Sequence, residues 1–424
     1  MKVYKFGGAS VKNAAGVRNL AFIVSKEKEN LVIVVSAFGK TTNALEKVLK
    51  ASRAGDKSFS EQLKDLENYH LSVCEELFND RTEVAEKIKS SADSLREFLS
   101  SGKSGTYDFE YDQVVSYGEL WSTIIVAEYL TASILPVNWI DIREKLITDD
   151  RFRDANILWS ESSRRLRKTF NFENNRVYVT QGFIGGTING ITTTLGREGS
   201  DYTAAILANI LDAESVVVWK DVPGMLNADP KWFPEAEKLD EISYKEAVEM
   251  TFSGAKIIHP KTIKPLHNKS IPLYVRSFLD IDDKGTIIKA DAELKKIIPV
   301  FIRKEEQILI SILPKDFSFV LGDNLARIFQ SFLFHGIRVN LVEASAISLD
   351  VCVDDERPKV EALIKDLKTD FSAIYNENVE LLSIRHYTPQ AVEKITTGRE
   401  ILLEQRTRST VRFVVRRIAS LRSH

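Results

Sequence analysis

The chain has 424 residues, which is too long for one ordinary core and predicts two or three domains. Hydrophobic residues make up 44% and charged residues 28%, as in a soluble globular protein. The 58 basic and 60 acidic side chains nearly cancel, which argues against a nucleic-acid partner. With only two cysteines, Cys74 and Cys352, neither a disulfide framework nor a zinc cluster is expected.

No segment of the sequence predicts targeting or membrane insertion. The first residues, MKVYKFGG, lack the apolar stretch of a signal peptide. No apolar run approaches the ~18 residues that a membrane-spanning helix needs. We therefore expect a cytoplasmic protein without a membrane partner.

Short buried strands alternate with polar turns and helices in the first part of the chain. The predicted strands are Val3–Phe6, Leu31–Val35, Ile134–Trp139, Arg176–Thr180 and Ser215–Trp219. This order predicts an α/β fold whose central sheet is mostly parallel, lies between helices and binds ligands at the carboxyl ends of its strands. The charged segment 60–101 has leucines at helical spacing and predicts an all-helical insertion.

The sequence pattern changes near residue 295, which separates a predicted domain 1–295 from a region 300–424. A β-α-β-β-α order of elements predicts an α+β module at about 307–375. The rest, about 378–424, offers two strand candidates and one short helix, so a second module is expected to be abbreviated. The arginines near the end alternate with apolar residues, which favours a half-solvated strand over a nucleic-acid patch.

The first strand ends in the turn Lys5-Phe6-Gly7-Gly8-Ala9-Ser10. Glycines allow backbone N–H groups to approach a phosphate, and the N-terminus of a following helix would attract its charge. The order of residues differs from a Walker A motif and from GxGxxG. On this pattern alone, phosphate binding and a plain tight turn are equally supported.

The second strand ends in another small polar turn, Ser36-Ala37-Phe38-Gly39-Lys40-Thr41-Thr42-Asn43. Thr41 and Thr42 could hydrogen-bond a substrate or cap the next helix. Capping is the more frequent role of threonine at such a position, so the pattern alone favours it.

Five blocks together resemble the aspartate kinases of the amino acid kinase family, and they follow the order of that family. They are KFGGAS from Lys5, SYGE from Ser116, LGREGSDY from Leu195, WKDVPG from Trp219 and GAKIIHP from Gly254. The resemblance implies the amino acid kinase fold and transfer of the γ-phosphoryl group of ATP, with Mg²⁺, to the side-chain carboxylate of aspartate.

That chemistry agrees with the residue types, because a carboxylate is already ionised at neutral pH and needs no general base. The enzyme has to hold two anions together and neutralise the charge on the group in transit. By resemblance, the catalytic residues are Lys5, Asp201 and Lys256. Asp201 has an alternative role as the N-cap of a helix 202–209, and His259 is interpreted as structural.

The resemblance also implies two sets of binding residues and no metal site made of protein ligands. For aspartate they are Ser36, Thr42, Glu119, Arg197 and Ser200. For ATP they are Lys5, Gly7, Gly8, Ser10, Lys220, Asp221, Lys231 and Lys256. The segment 225–231 departs from many members of the family, with Leu226 where tyrosine is common and Lys231 where arginine is common.

The C-terminal region resembles the ACT modules, which have a ferredoxin-like α+β fold and bind amino-acid effectors in this family. This implies an effector as a partner and a homo-oligomer, a dimer or larger, while the effector and the oligomer size stay open. Two alternative functions are another carboxylate kinase of the superfamily and a non-catalytic amino-acid sensor. A Rossmann dehydrogenase fits worst, because the dinucleotide fingerprint is missing.

Overall fold

The computed structural model describes residues 1–102, 105–255, 258–292, 298–316 and 318–417. The chain forms two compact units. The first contains residues 1–225, 238–248 and 257–293, and the second contains 226–237, 249–256 and 294–424. Within the described ranges, no helix is long and apolar enough to cross a membrane.

The described residues up to 289 form thirteen strands, ten α-helices and a short 3-10 helix at Ile142–Glu144. The strands are β1 Lys2–Phe6, β2 Leu31–Val35, β3 Asn138–Ile140, β4 Ile147–Thr148, β5 Val177–Gln181, β6 Ile184–Thr187, β7 Thr192–Thr194, β8 Ser215–Lys220, β9 Met225–Leu226, β10 Lys238–Leu239, β11 Glu241–Ser243, β12 Leu273–Ser277 and β13 Thr286–Lys289. The helices are α1 Ala14–Lys26, α2 Thr41–Arg53, α3 Phe59–Leu77, α4 Thr82–Ser100, α5 Tyr107–Val115, α6 Tyr117–Ser133, α7 Trp159–Thr169, α8 Gly199–Ile210, α9 Tyr244–Ser253 and α10 Pro260–His267.

An eight-stranded sheet organises the first unit, in the order β11-β13-β12-β8-β1-β2-β5-β3. All neighbouring pairs are parallel except β12 with β13. Strands β4, β6 and β7 form a separate small sheet. The mostly parallel sheet predicted from the sequence is confirmed.

The two faces of this sheet are covered by different helices. Tyr4 and Phe6 of β1 point into a large core with α1 and α3–α6, while α8 packs on β1, β2 and β8. Because side chains alternate along a strand, Lys5 points to the α8 face. The alternation therefore decides which helix can supply a partner for that lysine.

In the first unit, one element predicted from the sequence agrees with the structure and another is wrong in part. The segment 60–101 is helical as predicted, in α3 and α4. The strand predicted from Ile134 is wrong at its start, because the N–H groups of Ile134 and Leu135 both bond to the carbonyl of Leu130 and close α6. Pro136 then lacks the N–H that a strand would use, and β3 begins at Asn138.

The second unit contains a six-stranded antiparallel sheet in the order β15-β16-β14-β17-β19-β18. Its elements are β14 Val300–Pro314, α11 Asp323–Phe334, β15 Val339–Ala344, β16 Leu349–Asp354, α12 Arg357–Leu367, β17 Phe371–Arg385, α13 Pro389–Thr396, β18 Arg399–Arg406 and β19 Thr410–Arg417. Helices α11 and α12 share a core with the alternate residues Ile308, Ile310 and Ile312 of β14.

The long strands β14 and β17 belong to both parts of this sheet. Gln307–Pro314 pairs with the first half of β17, and Val300–Lys304 pairs with its second half, Leu381–Arg385. The second half continues through β19 to β18, and α13 packs there in a smaller core. The sequence missed β18, because its residues REILLEQR are mostly polar or half-exposed and show no regular alternation.

Candidate active site

A cleft of about 590 Å³ lies in the first unit, where the turns after β1 and β2 meet the N-terminus of α8. Nine of the residues predicted for the site line it. They are Lys5, Gly8, Ser36, Thr42, Glu119, Arg197, Ser200, Asp201 and Lys220. The carboxyl ends of neighbouring parallel strands lie at one edge of a sheet, which explains why motifs far apart in sequence meet here.

The turns after β1 and β2 touch through their backbones. Gly39 N–H donates to the carbonyl of Gly8 over 2.9 Å. A Cβ atom on Gly8 would lie 2.3 Å from the carbonyl oxygen of Ala37, so a side chain at this position cannot be accommodated without moving the backbone. Glycine is therefore required here for close packing of the two turns.

The helix N-termini at the cleft belong to α8 and α2 and not to α1, which corrects the prediction made from the first turn. Helix α1 begins only at Ala14, after an N-cap by the side chain of Asn13. Helix α8 begins at Gly199, and its first residues line the cleft. The favourable helix dipole for an anion is thus supplied by α8.

Asp201 joins two lysines of the cleft in a group that we call the lysine end (Lys5, Asp201 and Lys220). Its carboxylate lies 2.6 Å from Lys5 Nζ and 3.6 Å from Lys220 Nζ, and only 3% of the residue is exposed. Burial acts to raise the pKa of Asp201, but the two lysines outweigh it and hold that pKa below its usual value. Asp201 is therefore an ionised aspartate with two cationic partners.

A second group of the cleft surrounds Glu119, and we call it the glutamate end (Glu119, Thr42 and Ala37). Glu119 is also 3% exposed. Burial raises the pKa of Glu119 to about 8, and the Ala37 N–H, the charge of Lys5 and a hydrogen bond with Thr42 offset this only in part. The Ala37 N–H lies 3.4 Å from Oε1, and Oε2 has no hydrogen-bond partner among the described residues. A buried carboxyl oxygen without a partner suits a cationic ligand.

Two capping interpretations are wrong. Helix α2 begins at Thr41 without a side-chain cap, because the Thr41 hydroxyl donates to the carbonyl of Phe38 and Thr42 lines the cleft. Helix α8 begins two residues before Asp201, so this carboxylate lies inside the first turn and pairs with Lys5. Both side chains are thereby available to the cleft.

Four further predicted residues, Gly7, Ser10, Asp221 and Lys231, do not line the cleft. Gly7 and Ser10 belong to the first turn, where Ser10 N–H donates to the Gly7 carbonyl. Asp221 is exposed after β8. Lys231 is part of the second unit and its N–H bonds to Asp229, and Lys256 lies outside the described residues. His259, interpreted as structural, accepts from the N–H of Lys261 and caps α10.

Sequence reasoning missed several residues that line the cleft, namely Asn43, Tyr111, Arg153, Phe183 and Thr194. Tyr111 comes from α5, and Arg153 comes from the loop before α7. Neither follows a glycine-rich turn or a strand end with a recognisable motif. The structure explains the position of two of them, because the buried carboxylate of Asp112 accepts from the N–H of both Arg153 and Thr194, and no local sequence pattern marks this role.

No group of three or more metal-binding side chains occurs in the part of the chain that the structure describes. Mg²⁺ in nucleotide sites is held largely by substrate phosphates and by only one or two carboxylates. Asp201, the buried carboxylate of the lysine end, is the residue that fits this limited role.

A cleft with two lysines on one carboxylate, facing a helix N-terminus, is suited to bind phosphate groups. A family model described as the amino acid kinase family matches residues 1–277. The match covers more than half of the chain, so the chain belongs to the amino acid kinase family.

Within this family, the chain is similar to two curated relatives and one solved structure whose names contain aspartokinase. Lysine-sensitive aspartokinase 3 of Escherichia coli (strain K12) is 32% identical over 356 residues, which are 83% of this chain and 78% of that protein. E. coli aspartokinase III in complex with aspartate and ADP (R-state) matches with a TM-score of 0.83 at 28% identity, over 98% of this chain and 96% of that chain. The predicted α/β fold with an ACT-like antiparallel region is therefore confirmed.

The chain spans less than half the length of another relative. The bifunctional aspartokinase/homoserine dehydrogenase 2, chloroplastic, of Arabidopsis thaliana is 30% identical over 382 residues. These residues are 87% of this chain and 42% of that protein. The similarity therefore extends over only part of the bifunctional protein.

Proposed function

We propose that this chain is an aspartate kinase, which transfers the γ-phosphoryl group of ATP to the β-carboxylate of L-aspartate. The product is 4-phospho-L-aspartate, the first intermediate of the biosynthesis of lysine, threonine and methionine. The observation that carries the proposal is one cleft that contains both two lysines on Asp201 and a buried Glu119 oxygen without a hydrogen-bond partner among the described residues. Its aspartokinase relatives support the same function.

The lysine end neutralises charge during transfer. Lys5 is fixed by Asp201, so its ammonium group needs little rearrangement as negative charge spreads over the group in transit. Lys256 is assigned the second catalytic position by its sequence block alone. Gly7, Gly8, Ser10, Lys220, Asp221 and Lys231 are proposed for ATP.

The glutamate end selects the amino acid. Glu119 pairs with the ammonium group of aspartate, and Arg197 pairs with its α-carboxylate. Ser36, Thr42 and Ser200 provide the polar contacts that orient the β-carboxylate toward the phosphate. Because that carboxylate is the nucleophile, the site requires no side chain that removes a proton.

Mg²⁺ accompanies ATP and supplies positive charge to its phosphates. Asp201 is the proposed carboxylate contact for it. The protein's own contribution is to keep Asp201 ionised, which Lys5 and Lys220 do.

The C-terminal region, 300–424, is proposed to be regulatory and the domain 1–295 catalytic. In support of this division, β14, α11, β15, β16, α12 and β17 overlap 307–375, whereas the described part of 378–424 contains one helix, α13, with the end of β17 and strands β18 and β19. We expect at most one effector pocket per chain, with lysine or threonine as candidate ligands. Calorimetry with each amino acid tests this, and two tight sites per chain would contradict it.

The oligomer is proposed to be a dimer or larger that pairs through the ACT-like sheets, in the cytoplasm. Support comes from Leu333 and Phe334 at the end of α11, which are 81% and 83% exposed. Apolar side chains exposed side by side are typical of interaction surfaces. Sedimentation showing a strict monomer would contradict this part of the proposal.

Hydroxylamine trapping tests the activity itself. With ATP, Mg²⁺ and aspartate, we expect ADP release and an aspartyl hydroxamate formed from the acyl phosphate. Glutamate or N-acetylglutamate in place of aspartate should give none. A hydroxamate with those acids but not with aspartate would identify another carboxylate kinase, and none with any acid would favour a sensor.

A further inference from the structure

We propose that Arg153 is a specificity-determining residue of the cleft, a second guanidinium that binds the α-carboxylate of aspartate together with Arg197. The proposal rests on the proposed function and assigns a role to a residue outside all five sequence blocks. Arg153 lines the same cleft as Arg197 and Glu119.

The backbone of Arg153 has an unfavourable conformation, with φ at 68°. Glycine adopts this left-handed region without cost, and asparagine or aspartate do so more readily than arginine. A long cationic side chain at such a position is therefore not explained by the turn. Strained positions of this kind concentrate at functional sites, where the surrounding structure holds them in place.

Asp112 holds this backbone in place from inside the protein. Its carboxylate is fully buried and accepts from the Arg153 N–H over 3.0 and 3.2 Å. The same carboxylate accepts from the N–H and the hydroxyl of Thr194, over 2.8 and 2.7 Å. Since Thr194 also lines the cleft, Asp112 fixes two parts of its wall in one arrangement.

The guanidinium of Arg153 is held by aromatic rings and leaves room for an anion. It lies 4.3 Å from the ring centre of Tyr111 and 5.7 Å from that of Tyr107. Among the described residues it makes one ion pair, a 3.4 Å contact with the exposed Asp108, and its side chain is 43% exposed. Aromatic stacking positions a guanidinium while its edge N–H groups remain able to grip a carboxylate.

The charges of the substrate explain why a second cation is useful. Aspartate has two carboxylates and one ammonium group, and its β-carboxylate must point to the lysine end for transfer. The α-carboxylate shares its carbon atom with the ammonium group, so it then stays close to the ammonium that Glu119 binds. Two arginines at this carboxylate favour an amino acid with a free α-carboxylate over one in which it is blocked.

The decisive variant is Arg153→Gly, because it removes the side chain and relieves the backbone at once. We expect its melting temperature to be equal to or above that of the wild type. Its KM for aspartate should rise about tenfold, with kcat and the KM for ATP changed less than twofold. A purely structural residue would show the change in melting temperature without the change in KM.

Two further variants separate charge from loop geometry. Arg153→Lys keeps a cation at the same backbone and should recover part of the KM, to within about threefold of wild type. Arg151→Gln removes an exposed arginine two residues away that does not line the cleft, and should leave KM unchanged. The discrimination of wild type between aspartate and its α-amide should also fall about tenfold in Arg153→Gly.

An unchanged KM and unchanged discrimination in Arg153→Gly would overturn the proposal, as would an equal loss in Arg151→Gln. The failure of the proposed function is distinguishable from this result. In that case the wild-type protein itself would form no hydroxamate from aspartate, before any variant is compared.

Discussion

The lysine end and the glutamate end of the cleft each contain one carboxyl group that is 3% exposed, yet the two groups behave in opposite ways. Asp201 lies within 3.6 Å of two lysines and its pKa is lowered. Glu119 has no ion pair among the described residues and its pKa is raised to about 8. Burial is equal at both ends, so the neighbouring charges decide which carboxyl is ionised.

This difference gives each end a separate task. The lysine end holds its cations in place before any ligand arrives, which suits phosphates that are always anionic. The glutamate end lacks its cation until the substrate supplies an ammonium group. In the ligand-free cleft, the cations proposed to bind ATP are therefore already held in place, whereas Glu119 lacks the cation that aspartate supplies.

The largest effect is expected at the lysine end, for Lys5→Met. Loss of a preorganised charge on the transferring group should lower kcat about 1000-fold. Asp201 would keep only Lys220, and breaking a buried ion pair should destabilise the protein by about 3 kcal/mol. Steady-state kinetics and thermal unfolding measure both effects.

A double variant separates the two consequences of Lys5→Met. Adding Asp201→Asn should restore most of the lost stability, because no buried anion remains, while kcat stays low. Lys26→Met at the exposed end of α1 is the matched control and should change neither quantity. A kcat within tenfold of wild type in Lys5→Met would remove the proposed role of the lysine end.

Glu119→Gln is expected to have the next largest effect, and on binding alone. The KM for aspartate should rise about 100-fold, since a hydrogen bond between charged groups contributes roughly 1.5–3 kcal/mol. Stability at neutral pH should be kept or increased, because glutamine, unlike glutamate, needs no proton uptake to become buried in the neutral form. Glu128→Gln on the same helix, at a residue paired with Lys87, is the control that should leave KM unchanged.

How far the sequence predicts this cleft depends on where each residue lies. Lys5, Ser36 and Lys220 follow from strand ends, because parallel strands bring their carboxyl ends together. Arg153 and Tyr111 could not be predicted, since a loop and a helix face are positioned by tertiary contacts. The motif containing Glu119 was recognised, but its raised pKa depends on burial that no local pattern reveals.

In the C-terminal region, too, the sequence predicts elements with a local pattern and misses those that depend on distant contacts. Helix α11 matches its predicted bounds, Asp323–Phe334, because its apolar residues recur at helical spacing. Strand β18 was missed, because an edge strand with one paired side needs little hydrophobic alternation. The continuation of β14 back to Val300 was also missed, since it depends on pairing with β17 far along the chain.

The pH dependence of aspartate binding tests whether Glu119, unlike Asp201, is protonated at neutral pH. Substrate binding requires ionised Glu119, so KM for aspartate should fall by up to tenfold per pH unit on raising the pH toward about 8. Above that pH the curve should level off. In Glu119→Gln the KM for aspartate should not depend on pH over this range. A wild-type KM independent of pH would show that the Glu119 carboxyl is already ionised.

The stability of the ligand-free protein should depend on pH in the opposite sense. Glu119 has a folded-state pKa raised from 4.5 to about 8, so its contribution to stability is complete below about pH 4.5 and is lost as pH rises through about 8. Unfolding free energies of wild type and Glu119→Gln should therefore diverge over this window. Parallel curves for the two proteins would contradict the assignment.

The smallest effect is expected for Thr42→Val, which removes the hydrogen bond between Thr42 and Glu119. The loss of about 1 kcal/mol should raise the KM for aspartate about fivefold. The pKa of Glu119 should rise slightly, because its ionised form loses a donor. Unchanged values of both quantities would mean that Thr42 does not act at this end.

An infrared titration of the ligand-free enzyme tests most directly whether the two ends differ in charge. A protonated-carboxyl band should be present at neutral pH in wild type and missing in Glu119→Gln. The band should disappear with a midpoint near pH 8, and addition of aspartate at neutral pH should abolish it. A wild-type spectrum without that band at neutral pH would show that Glu119 is ionised like Asp201, and would contradict the account.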